Sequence, residues 1–203
     1  MFDQAAQSSV GLNSLSSSIA ESRAEMALSR EEFQESEIAC RRILRTSTLS
    51  AAESAHLKRI LGLAEMGAGS GTSGLRLCED AYREASKIPD AVLIVNSTLS
   101  LLQALGAAEK WSSSISMEPD VRRVMAHSPE SNWKALTLLA RAHQSLGHSA
   151  QSAQLSAEAR SDIAAIRSRW GDPTFQLYLS RPDVQKLWRI LQAIHSNPRE
   201  EKL

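Results

Sequence analysis

The segment Lys134–Arg160, KALTLLARAHQSLGHSAQSAQLSAEAR, joins two runs of good helix formers at Leu146-Gly147, with room there only for a tight turn. In the first run Leu136, Leu139, Ala140 and His143 recur at i, i+3, i+4 and i+7, the spacing of one buried helical face. Gly147 supplies a C-terminal stop, so the two helices must fold back on each other. The same kind of junction recurs at Leu28-Ser29, Met66-Gly67 and Leu105-Gly106, giving spacings of 38, 39 and 41 residues. A helical-hairpin period of this size predicts a stacked array, because one hairpin cannot cover its own apolar stripe while neighbouring hairpins can.

The remaining chain agrees with an all-α reading. Its one β-branched cluster, AVLIVNSTLSLLQAL, continues through Leu99, Leu101, Leu102 and Leu105 at helical spacing. Helices are predicted at about 12–28, 31–46, 50–66, 73–87, 90–105, 108–126, 131–146, 149–169, 173–179 and 182–195. Ser29 ahead of Glu31 and Glu32, and Asp90 after Pro89, are expected to start helices with a cap oxygen or an anionic first turn.

Lys134–Arg160 resembles a tetratricopeptide repeat. Leu136, Leu139-Ala140, His143, Leu146-Gly147 and Ala159 fall where that family places its packing residues, with His143 in place of the usual tyrosine and Ser152 in place of the alanine after the turn. A weaker copy lies at Ala20–Leu44, through Ala24, Ala27, Phe33, Ser36, Cys40 and Ile43. The resemblance implies a right-handed α-α superhelix of about four hairpins over residues 20–170. A serine-rich lead-in (1–19) would precede it, capping helices would follow (171–195), and a disordered tail (196–203) would end the chain. The 171–195 segment holds Phe175, Tyr178 and Trp188 and would cover the last apolar face. It is similar to tails that follow tetratricopeptide arrays in some bacterial signalling and regulatory proteins.

Composition narrows the function. The 203 residues carry 23 basic and 23 acidic side chains, so no net field steers the chain toward nucleic acid or an anionic membrane. No stretch approaches the ~18 apolar residues of a membrane span, and the N-terminus lacks the pattern of a secretory signal; the expectation is a cytoplasmic protein. Cys40 and Cys78 sit singly in apolar runs, as buried reduced thiols do.

The letters GSGTSG at Gly69–Gly74 fit G-x-G-x-x-G, but a dinucleotide loop needs a strand before it and an acidic residue about twenty positions on. A helix precedes these glycines, and Asp90 sits at another helix start, so the cluster is expected to be an inter-helix turn and the loosest joint of the array. His56, His127, His143, His148 and His195 are dispersed, without H-E-x-x-H or paired cysteines, and no serine has a nucleophile signature. No catalytic residue, metal ligand or cofactor is assigned, and the chain is not expected to be an enzyme.

Binding remains. The family resemblance implies that the first helix of each pair lines a concave ligand surface. There Asn96, Ser100 and Gln103 form one polar stripe, and Lys134, Thr137, Arg141 and Gln144 continue it. Amide and guanidinium groups on rigid helices can clamp the backbone or carboxylate of an extended peptide. The sequence therefore points to a non-catalytic scaffold or adaptor that takes a protein or peptide partner, and exposed terminal hairpins offer a route to a homodimer. One alternative is a ligand-sensing or regulatory module of a bacterial signalling or transcription system. Another is a small enzyme or phosphate binder using the 69–74 turn.

Overall fold

The computed structural model describes residues 19–46 and 48–194; the lead-in before Ile19 and the 196–203 tail lie outside them. Among the described residues the regular structure is entirely helical. The helices are α1 (19–29), α2 (Phe33–Thr46), α3 (Ala51–Gly67), α4 (Gly71–Ala85), α5 (Ala91–Ala107), α6 (Trp111–Ser116), α7 (Glu118–Met125), α8 (Pro129–Ser145), α9 (Ser149–Trp170), α10 (Asp172–Leu179) and α11 (Pro182–Ile194). The chain divides into two compact units, Met1–Pro89 and Asp90–Leu203.

In the first unit, Ser50 opens α3 with a reciprocal cap. Its hydroxyl accepts from the Glu53 amide at 3.2 Å, and the Glu53 carboxylate accepts from the Ser50 amide at 2.7 Å. Ala24, Cys40, Ile43, Leu57, Ile60 and Leu61 form the core between α1, α2 and α3. Both thiols are buried and unbonded to each other, and burial pushes each up to about 12, so they behave as small apolar groups.

The glycine cluster divides its work. The turn itself is Ala68–Ser70, where Gly69 has φ +95°, a region that side chains disfavour. Gly71 already lies in α4 with open space around it. Gly74, one turn on, is buried where α4 crosses α3: a Cβ there would stand 2.5 Å from the Gly62 carbonyl oxygen, and one on Gly62 would stand 2.8 Å from that of Gly74. The ring of Phe33 likewise occupies the space a Cβ on Gly67 would need. The cluster is thus a short turn followed by a close helix crossing, rather than a loose joint throughout, because only hydrogen atoms let the two backbones approach so far.

That crossing has counterparts. Ser36 Oγ donates to the Ala24 carbonyl at 2.9 Å, and Ser152 Oγ donates to the Ala140 carbonyl at 2.9 Å. In all three hairpins a small residue on one helix meets a small residue twelve positions later, with first members at 24, 62 and 140. The intervals of 38 and 78 residues correspond to one and two periods of the sequence repeat.

In the second unit Asp90 caps α5, its Oδ1 accepting from the amides of Val92 and Leu93, each at 2.9 Å. The single helix expected over 108–126 is instead two, α6 and α7, broken at Met117. Pro119 explains the break: it has no amide hydrogen to donate and its ring would clash with a carbonyl one turn back, so it is accommodated in the first turn of a new helix. The central element is α8, buried without interruption from Trp133 to Ala140 and packed against α5, α6, α7, α9 and α11. Trp133 Nε1 donates to the Tyr178 hydroxyl at 2.9 Å, and Arg160 Nη2 donates to the Leu191 carbonyl at 2.8 Å, tying α10 and α11 to α8 and α9.

Candidate functional site

The seven polar positions singled out on the first helices of the third and fourth pairs all lie in the second unit, on α5 and α8, which pack together. Their surroundings differ. Ser100 is buried, while Asn96 and Gln103 are half-buried on the same helix. Thr137 is fully buried, and its hydroxyl donates to the Trp133 carbonyl at 2.7 Å, one helical turn back. Lys134 is held inside the unit, with Nζ 3.4 Å from the Glu130 carboxylate and 5.6 Å from the centre of the Tyr178 ring. Arg141 is exposed and Gln144 half-exposed. The stripe is therefore not one continuous open surface, and its accessible end is the C-terminal half of α8.

At that end the Arg141 guanidinium lies over the Trp111 ring, 5.4 Å from its centre. Trp111 is the first residue of α6, half-buried at the end of the α5–α6 turn. The arrangement places a cation on an aromatic face. No carboxylate among the described residues lies within ion-pair distance of Arg141. Three arginines elsewhere are occupied by carboxylates: Arg59 pairs with Glu25 at 2.5 Å, Arg41 with Glu65 at 2.7 Å and Arg122 with Glu158. Sequence reasoning did not single out Trp111. The available signal was an isolated tryptophan far from the aromatic C-terminal segment, immediately after the Ala108–Lys110 turn.

Surface concavities are shallow. One, of about 500 Å³ and open to solvent, adjoins the end of α3 and is lined by Phe33, Gly67 and the carboxylates of Glu31, Glu32 and Glu35. Its acidic rim opposes phosphate beside the glycine turn, and Ser70 makes no side-chain cap at the start of α4. Among the described residues no group of three or more His, Cys, Asp or Glu side chains converges to hold a metal ion, and no helix is long and apolar enough to cross a membrane. Compared with protein-family models, curated proteins and solved structures, the chain matches none.

Proposed function

We propose that this protein is a non-catalytic binding module of tetratricopeptide-like helical hairpins, acting in the cytoplasm, and that it takes a carboxylate of an extended protein segment on Arg141. The observation that carries this reading is the exposed guanidinium over the Trp111 ring, with no carboxylate partner among the described residues. Stacking restricts the side chain before the ligand arrives, so less rotamer entropy is lost on binding, and the planar fork can meet a carboxylate through two parallel hydrogen bonds. The amides of Gln144 on the same helix and Gln103 on α5 are half-exposed and suited to the backbone of the bound segment. Three small-residue crossings at the repeat interval support the hairpin family, and two buried, unbonded thiols suit a reducing compartment.

Capture of partner from a lysate of the source cells, with wild type, Arg141→Ala and Trp111→Ala chains as bait, tests the proposal. A specific partner retained by wild type should be lost from both variants. Equal recovery on all three would remove Arg141 from the binding site.

A further inference from the structure

The turn between α8 and α9 brings two imidazoles together. His143, in the last turn of α8, and His148, the residue before α9, have their Nδ1 atoms 3.2 Å apart and their ring centres 5.4 Å apart. His143 is buried and His148 exposed. The other nitrogen of His143, Nε2, is buried with no hydrogen-bond partner, and the atom facing it is Oε2 of Glu118 on α7, at 3.6 Å. A lone pair on Nε2 would face that carboxylate unfavourably, so Glu118 selects the tautomer with hydrogen on Nε2 and the lone pair on Nδ1. Without an ion the His148 Nδ1–H donates to that lone pair at 3.2 Å; the exposed ring can carry its hydrogen on Nε2 instead, where water accepts it, and an ion then takes the place of the shared hydrogen.

Two Nδ1 lone pairs at this separation are placed to share one ion. With metal–nitrogen bonds of ~2.0–2.1 Å, a 3.2 Å separation subtends an angle of roughly 100°, close to tetrahedral. The Glu118 carboxylate, 3.6 Å behind His143 on its Nε2 side, stands where the outer-shell carboxylates that orient metal-binding histidines stand. We propose that His143 Nδ1 and His148 Nδ1 form a binding site for a zinc ion at the α8–α9 turn, with Glu118 as the positioning residue. No third His, Cys, Asp or Glu side chain among the described residues joins them, so water completes the coordination and the ion is bound reversibly. The pair escapes the usual spacing rule because its members sit on either side of a turn rather than one turn apart on a helix face. The site does not depend on the Arg141 reading.

Zinc chloride titrated into the full chain, followed by calorimetry and by the nitrogen resonances of the histidine rings, tests this. The expected result is one saturable ion per chain, with resonances of His143 and His148 shifting together. His148→Ala is the decisive variant, since the residue is exposed and makes no side-chain cap, so the chain still folds. It should weaken zinc binding at least tenfold, and Glu118→Gln should weaken it about tenfold while removing the Nε2–H signature of His143. The proposal is overturned if no saturable binding occurs up to about 1 mM zinc. It is equally overturned if His148→Ala binds as wild type does, or if the shifting resonances belong to His56, His127 or His195.

Discussion

Single positions in this chain carry backbone and charge costs that can be measured. Glu109, after α5, has φ 55° although it is not glycine. Left-handed backbone costs a side-chain-bearing residue about 1 kcal/mol, so Glu109→Gly should raise stability by up to that amount in urea unfolding. In the first unit Glu21 and Glu25 behave oppositely. Burial alone would raise Glu25, but the Arg59 guanidinium at 2.5 Å outweighs it and holds the carboxyl below its ordinary range. Its contribution is therefore complete above the unfolded value and is lost as pH falls through the lower folded value. Burial, with Glu53 and Glu25 nearby, raises Glu21, so its carboxylate is penalised in the folded chain and protonation on acidification relieves the penalty. Glu25→Gln should destabilise the protein at pH 7, Glu21→Gln should not, and the deficit of Glu25→Gln in unfolding curves should shrink as the pH is lowered from 7 into the acid range.

At the scale of helices, the hairpin crossings make the sharpest prediction. Gly71→Ala meets open space within α4 and should stabilise by about 0.5–1 kcal/mol through lost unfolded-state freedom. Gly74→Ala meets the Gly62 carbonyl and Met66 at 2.5 and 2.8 Å, and should destabilise by roughly 1–3 kcal/mol as the helices are forced apart. Equal effects from the two substitutions would show that α3 and α4 do not cross on these glycines. Helix positions were largely legible in sequence, because caps such as Asp90 and stops such as Gly147 act locally. The crossings were harder to read, since a pair such as Ala24 and Ser36 adds nothing to an apolar periodicity and its hydrogen bond spans twelve residues. Pro119 is a readable breaker whose effect on the 108–126 run outweighs the helix-forming residues around it. The polar stripe was legible only in part. Serine and threonine can satisfy their hydroxyls on their own helix, as Thr137 does, so their polarity does not mark an exposed face.

For the molecule as a whole, the proposed contact with another chain rests on net neutrality, shallow concavities and a ring-backed cation that has no carboxylate partner among the described residues. Such a surface gains specificity from a few oriented groups, because one charge-assisted hydrogen bond contributes about 1.5–3 kcal/mol while most surrounding contact only excludes water. The direct test is the affinity of extended peptides with free C-terminal or side-chain carboxylates, measured by fluorescence polarisation against wild type and Arg141→Ala. The account predicts that a subset binds, that Arg141→Ala weakens those peptides at least tenfold, and that converting the carboxylate to an amide has the same effect. Binding that is indifferent to both changes, or no binding by any peptide, would contradict it.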